Sequence, residues 1–351
     1  VAKTRVIGLD IGTTHVRAAE LEFAGPRSST VPTLVRCHET PLPPGSVRDA
    51  EVADIAAVST ALRRLWSEAK FGSKDCIIGV GNQRVVVREL DMPWMPLPQV
   101  RASLPFQVQD LLPMAVDEAL LDYLPTGETT TPEGRFYRGL LVAASRDTVN
   151  NNVLATEGAG LRPQMVDLNA FALQRSIARG DLAERTIALV DIGARVTNVI
   201  VASHGSPRLV RTVPAGGQDA TDAVARALGV AGPEAERIKR EVGMGYSDTG
   251  QQAAVEAVNG TMRPLVEAVR NTFVYFAGNH PGEAIEMAVL TGGGAHLAGL
   301  GQYLASASRV PVVLGDPLNG VKVARGSGRE NLAGRESMLA MSVGLAYGAA
   351  A

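Results

Sequence analysis

Cysteine is scarce in this chain. Cys37 and Cys76 stand far apart in no C-x-x-C spacing, which argues against a disulfide framework or a zinc site and fits a reducing compartment. Histidines 15, 38, 204, 280 and 296 show no ligand spacing either and read as surface or packing residues. No excess of either charge is present: the formal net charge is −2, so neither nucleic acid nor an acidic tail is implied. Long apolar runs are missing as well. Eighteen consecutive apolar residues occur nowhere, and no apolar signal core follows the charges of Val1 to Arg5. A cytosolic protein without direct membrane insertion is expected. What is there is ample core material: 351 residues with 46% hydrophobic content suffice for two substantial cores.

One short pattern occurs twice. Asp10-Ile11-Gly12 and Asp191-Ile192-Gly193 each end a run of apolar, β-branched residues and precede a second such run, which reads as strand, tight turn, strand. A single Asp-x-Gly turn is ordinary. Two in matching contexts suggest a duplicated fold with a nucleotide between the halves.

Along the chain, Val6 to Leu9, Val16 to Phe23 and Thr33 to His38 read as a three-stranded meander, and Glu51 to Lys70 as an amphipathic helix. From Cys76 to Ser145 the texture suggests an inserted α+β subdomain. Ile77–Val80 and Arg84–Leu90 read as a hairpin, and a short helix carries Val100, Leu104 and Val108 despite Pro105. The strands Leu120–Leu124 and Phe136–Ala143 are joined by a polar, mobile linker at 127–132, and Ser145 caps a helix to about Ala159. The helix Ala170–Arg179 leads to a second meander at Thr186–Val190, Val196–Ser203 and Arg208–Val213. Helices are predicted at 219–228, 233–242, 251–276 with a break near 260–264, 295–305 and 338–350.

The chemistry follows from the paired turns. Glycine removes the Cβ that blocks approach to the backbone, while Thr13 and Thr14 add donors for a phosphate. The carboxylates of Asp10 and Asp191 would hold Mg²⁺ through water, and the metal would neutralise phosphate oxygens. Arg17 lies near enough to add a positive charge. Gly216-Gly217 before a helix start suits an anion or an ordinary loop, and Gly292-Gly293-Gly294 suits a flat base or a loop.

The series LDIGTTHVR, MVDLNAFAL, LVDIGARVTNVIV, AGGQDAT with AERIK, LTGGGAHLAGL and AMSVGLAYGAA resembles the nucleotide-binding segments of the actin and sugar-kinase ATPase superfamily, over nearly the whole chain. The resemblance implies an α/β, actin-like (ribonuclease H-like) fold: duplicated domains around a nucleotide cleft. The first lobe is expected at 1–75 with 155–182 and 335–351, the inserted subdomain at 76–154, and the second lobe at 183–334 with a helical part near 218–286. It further implies ATP and Mg²⁺ as cofactors. By the same resemblance Asp10 and Asp191 would hold the metal, and Gly12, Thr13, Thr14, Arg17, Gly193, Gly216 and Gly217 would surround the phosphates. Arg17 stands where a lysine is common. Glu236, Lys239, Gly292, Gly293 and Gly294 line the adenosine, although Glu236 and Lys239 also fit a solvated helix face.

Within the insert, Glu89 to Pro96 and Pro105 to Pro113, followed by Val116 to Tyr123, are similar to the PilM family of type IV pilus assembly proteins, related to FtsA. That resemblance implies a scaffold that captures the cytoplasmic N-terminal tail of PilN and lies at the inner face of the membrane through its partners. Motor ATPases and self-association are further implied contacts. Val85–Leu90 and Leu140–Ala143 are the strand edges considered for the tail. At the connecting segment, hydrolases of the superfamily often place Glu or Gln, whereas this chain has Asn169, with Asp167 two residues earlier. Asn cannot act as a base, so ATP binding with at most weak turnover is expected. The alternatives are an FtsA-like tether, for which a C-terminal amphipathic helix is missing, a filament-forming protein, and a small-molecule kinase of the same fold.

Overall fold

The computed structural model describes residues 3–25, 31–245 and 251–348. Strands β1 (Thr4–Ile11), β2 (His15–Phe23) and β3 (Thr33–Pro41) form the expected antiparallel meander. The predicted helix from Glu51 begins later. Ala53 and Asp54 both donate their N–H to the Ser46 carbonyl, which folds Val47–Arg48 (β4) onto Glu51–Val52 (β5) as a small hairpin. Helix α1 (Ile55–Ala69) starts only after Asp54, whose carboxylate accepts from the Ala57 N–H at 2.9 Å.

Strand β6 (Asp75–Val80) corrects the hairpin reading of Ile77–Val80. It pairs in parallel with β1, and its apolar run is buried on both faces, as an interior parallel strand requires. The inserted sheet proper is built from β7 (Val85–Pro93), β8 (Ala119–Thr131) and β9 (Gly134–Ser145), in the order β7-β9-β8. Helix α2 (Leu97–Gln107) covers it through Val100 and Leu104, which pack with Met92, Tyr123 and Leu141. The 127–132 stretch is no loose linker. Its threonines are β-branched, and they stay in register with β9 down to Thr131 opposite Gly134.

Helix α3 (Arg146–Gly158) returns to the first lobe and docks on α1, where the Ser59 hydroxyl donates to the Ala155 carbonyl at 2.8 Å. Ser145 precedes it, but the hydroxyl makes no capping bond. Strand β10 (Arg162–Leu168) pairs with β6 and runs into α4 (Asn169–Ile177).

The second lobe repeats the plan. Strands β11 (Thr186–Ile192), β12 (Thr197–Ser203) and β13 (Ser206–Val213) form the second meander. Helices α5 (Gly217–Leu228), α6 (Gly232–Val242) and α7 (Gln252–Asn279) follow, and then β14 (Met287–Thr291), α8 (Leu300–Ser308) and β15 (Val312–Leu314). The strand order β3-β2-β1-β6-β10 in the first lobe is matched by β13-β12-β11-β14-β15 in the second, with the same directions. Duplication is therefore a property of the topology and not of the two turns alone.

Helix α7 runs unbroken through Pro264, because Val258, Met262, Leu265, Val266, Val269 and Phe273 bury one continuous stripe across it. The stretch predicted as one helix over 295–305 is split instead, with Gly299 at φ 82° before α8. Strand β16 (Lys322–Val323) carries the chain back to β3, and α9 (Ala340–Gly348) lies under the first sheet. The last residues of the predicted closing helix fall outside the described ones. Backbone contact here is close: a Cβ on Gly8 of β1 would sit 2.0 Å from the Ser342 carbonyl oxygen, and one on Gly344 would sit 1.8 Å from that of Ala172 in α4.

Candidate functional site

The two Asp-Ile-Gly turns close in the same way. Gly12 N–H donates to the His15 carbonyl at 3.0 Å and Gly193 N–H to that of Val196 at 3.0 Å. In each case a Cβ on the glycine would meet that same carbonyl, at 2.9 and 2.7 Å, so only glycine lets the turn fold back so tightly. Both turns face one cleft of about 350 Å³, lined by Asp10, Gly12, Thr13, Thr14 and Arg17 from the first lobe and by Asp191, Gly193, Gly217 and Gly292–Gly294 from the second.

Register supplies the electrostatics. Asp10 is paired across β2 with Arg17, and Asp191 across β12 with Asn198. Burial pushes the Asp10 carboxyl up to about 6, against the pull of Arg17 and with a push from Asp191 across the cleft. Burial likewise raises Asp191, against the hydrogen bond that Thr291 Oγ1 donates to its Oδ1 at 2.9 Å and the field of Arg17. Two carboxylates held this way favour a cation between them. Among the described residues no group of three or more His, Cys, Asp or Glu surrounds a metal position. The pair suits an ion that takes its other oxygens from phosphate and water.

Arg17 is shared, since its Nε donates to Glu39 Oε2 at 3.0 Å. The other Glu39 oxygen lies 3.6 Å from Arg335 Nη1.

The third wall is strapped to the second turn. Gly217 and Gln218 N–H donate to the carbonyls of Gly193 and Ala194 at 2.9 and 2.8 Å. Gly216 itself does not line the cleft. A Cβ there would sit 2.5 Å from the Gly193 carbonyl oxygen, so its glycine serves the strap, and its N–H is held by Asp219 Oδ2 at 2.8 Å. Arg195 braces the strap through Asp219 and Asp222.

Glu236 and Lys239 are not a solvated pair. Lys239 is 8% exposed, and its Nζ donates to the Gly217 carbonyl and to Thr221 Oγ1, both at 3.0 Å, beside Glu236 Oε2 at 2.6 Å. Burial opposes the charge of Glu236, but Lys239, Thr221 and Arg240 outweigh it and hold the carboxyl below its usual range. Gly292 and Gly294 are packed against Ile192, while Gly293 faces open space with only Met338 near. Beyond Gly293 a side pocket of about 100 Å³ continues, walled by Lys239, Arg240, His296, Arg335 and Met338. Burial, helped by Arg335 and Arg240, lowers the His296 pKa.

Asn169 is the first residue of α4 and lies in the cleft, its buried Oδ1 without a hydrogen-bond partner among the described residues. Gly79 and Gly81 of the β6 end make room for it, since a Cβ on either would be 2.0 or 2.7 Å from its side chain. Asp167 is a correction. Its carboxylate is taken by Arg175 and by the Leu168 N–H at 2.7 Å, and it does not line the cleft.

Sequence reasoning missed His15, Glu39, Asn198, Gln218, Arg335 and Met338, all cleft-lining. Asn198 and Gln218 stand inside motifs already singled out. Arg335 and Glu39 arrive from segments without any motif, and His15 is a wall of the cleft and not a surface residue.

Compared with known proteins, residues 8–349 match the family described as Type IV pilus assembly protein PilM. Curated relatives include the cell division protein FtsA of Escherichia coli strain K12, 22% identical over 360 residues, covering 90% of this chain and 84% of FtsA. FtsA of Bacillus subtilis strain 168 is 21% identical over 270 residues, 70% of this chain, which spans only 60% of that protein. Among solved structures, a chain of the PilM-PilN type IV pilus biogenesis complex aligns with a TM-score of 0.84 at 26% identity, covering 99% of this chain and 98% of that one. MreB 5 of Spiroplasma citri bound to AMPPNP aligns at TM-score 0.50 and 15% identity over 93% of this chain and 95% of its own, a likeness of fold alone. The fold is the actin-like one, with duplicated lobes around the cleft.

Proposed function

We infer the function from one premise: the chain belongs to the type IV pilus assembly protein PilM family. We propose that it is an ATP-binding scaffold of the pilus assembly complex, which captures the N-terminal cytoplasmic tail of PilN. The nucleotide half of this reading is supported by one arrangement above all, the two half-buried carboxylates that line one cleft from glycine turns on opposite lobes. Mg²⁺-ATP fits that donor set. Asp10 and Asp191 hold the hydrated metal, and the bound metal neutralises phosphate charge. The N–H groups of the turns and Arg17 would take the phosphates, Asn169 Oδ1 is free to accept a hydrogen bond from the occupant of the cleft, and the side pocket beyond Gly293 would take the base.

Turnover is slow in this reading. Asn169 accepts a hydrogen bond but takes no proton, and Asp167 is locked on Arg175. Steady-state hydrolysis is expected well below the ordinary enzyme range of about 10 per second; a rate in that range overturns the scaffold reading in favour of an enzyme.

For the tail, Leu140–Ala143 offers no edge, because β9 is paired on both sides. Strand β7 is at the edge of its sheet, and its Glu89 is engaged by His280 Nε2 at 2.8 Å. A better seat is the groove beside α2, where Phe106 is 80% exposed next to Met114, Val116 and Arg146. Titration of full-length protein with a synthetic peptide copying the cognate PilN tail tests this. Binding is expected, with a loss of about tenfold in F106A, typical of an anchor side chain; absence of binding with and without ATP overturns the scaffold. Contacts with motor ATPases and self-association are part of the proposal without an assigned surface. Among the described residues no helix is long and apolar enough to cross a membrane, and we place the protein at the inner face of the membrane through its partner.

A further inference from the structure

Glu51 lines neither the cleft nor the tail groove, yet it holds segments that serve both. Its Oε1 accepts from Asn82 Nδ2 at 3.1 Å and from Thr148 Oγ1 at 3.0 Å, and Arg84 Nε lies 3.1 Å away. Asn82 and Arg84 carry the chain from β6 into the inserted sheet, and Thr148 stands in the first turn of α3, where the chain comes back. Asn82 and Thr148 are 1% and 3% exposed, and Asn82 Nδ2 also reaches Thr148 Oγ1 at 3.4 Å. Ser145 N–H donates to the Arg84 carbonyl at 3.2 Å, closing the two crossings on each other. Both connections of the inserted sheet are thus tied to one carboxylate oxygen.

The same residue borders the cleft on its other side. Ala50, just before Glu51, and Gly81, just before Asn82, both line the cleft. Asp49 and Ala50 form the two-residue tip of the β4–β5 hairpin at φ 51° and 59°, the left-handed region that residues with a Cβ rarely occupy. A turn of this kind persists where its surroundings over-determine it, and such turns gather at ligand sites and switches. Here the β4–β5 pairing and the two N–H bonds to the Ser46 carbonyl hold the turn, and the Glu51 side chain ties its returning arm to Asn82 and Thr148.

We propose that Glu51 couples occupancy of the cleft to the setting of the inserted sheet, and so regulates capture of the tail. A ligand that presses on Ala50 and Gly81 moves the hairpin tip and the β6–β7 crossing together, since both hang on Glu51. The displacement reaches Thr148 and, two residues before it, Arg146. Arg146 lines the groove beside Phe106 and donates from Nε to the Asp117 carbonyl at 2.8 Å across it. Coupling of this sort is reciprocal, so the tail changes ATP affinity by the same factor. The inference rests on the functional reading above.

The test is a calorimetric titration of the full chain with the cognate PilN tail peptide, with and without saturating Mg²⁺-ATP. Wild-type affinity for the peptide is expected to differ about fivefold or more between the two states. In E51A the ratio falls to about one, while each ligand alone binds within about twofold of wild type; T148V, which keeps the side-chain shape and loses the hydroxyl, falls between. Equal peptide affinities in the two states of wild type overturn the coupling and leave the functional reading standing. An E51A protein with the wild-type ratio overturns the role of Glu51. A peptide that binds in neither state removes the reading itself, and the coupling with it.

Discussion

At the scale of single residues, Asp10 sets a pH dependence whose sign is fixed by its surroundings. Its carboxyl moves from an ordinary 3.8 to about 6 because burial penalises the charged form. The folded state therefore binds the proton more tightly than the unfolded chain. The stabilisation is present in full below about pH 4 and is lost as the pH rises through about 6, a change of the order of 3 kcal/mol. In the ligand-free protein the melting temperature is expected to fall across that window, and to fall less in D10N; an identical profile for the two proteins by scanning calorimetry contradicts this. Over the same window Mg²⁺-ATP binds more tightly, since the metal requires the carboxylate. D191N is expected to weaken Mg²⁺-dependent ATP binding by about tenfold, roughly 1.4 kcal/mol, as read by fluorescent-nucleotide titration. Both aspartates were legible from the sequence, because an Asp-x-Gly after an apolar run carries its own chemistry. Asp167 was not separable from Asn169 in the same way: which of two nearby side chains enters a cleft depends on Arg175 one helical face away, and spacing alone does not show that partner.

At the scale of elements, periodicity reports which residues are buried and not what they are buried against. The meanders β1–β3 and β11–β13 were readable, since neighbouring strands with short turns leave little choice of partner. The run Ile77–Val80 fits a hairpin or an interior parallel strand equally well, and only its pairing with β1 and β10 decides. The predicted break in α7 fails for a related reason. Pro264 removes one hydrogen bond, whereas the apolar stripe on both sides of it is anchored by a whole lobe. Packing also predicts what substitutions do. Gly344 touches the α4 backbone so closely that G344A must push two helices apart, at a cost of about 2 kcal/mol, to be read as a lower denaturant midpoint with an unchanged slope. Under the cleft, K239M removes the Nζ that the Gly217 carbonyl and Glu236 Oε2 share, and leaves both to the Thr221 hydroxyl, with Arg240 on the other Glu236 oxygen. Removing one partner of a buried charged contact costs about 1–3 kcal/mol, and nucleotide affinity is expected to fall together with stability.

At the scale of the whole molecule, a ligand that binds the folded state between two lobes stabilises both. With ATP at about 100 times its dissociation constant the gain is about 2.7 kcal/mol, visible as a rise of melting temperature by thermal-shift fluorescence with Mg²⁺ and lost in D191N. The placement of α9 has a further consequence, for the order in which the protein is made. The second lobe runs without interruption from Thr186 to Leu314. The first lobe is scattered, and Gly8 of β1 lies against Ser342 and Ala346 of a helix that is the last described element to leave the ribosome. During synthesis the second lobe has all its strands while the first still lacks the helix that closes its sheet. Nascent chains arrested before Ala340 should hold a protease-resistant second lobe beside a cleavable first one. The half that emerges first is thus the half that must wait, with an apolar sheet face in need of shelter until α9 has emerged.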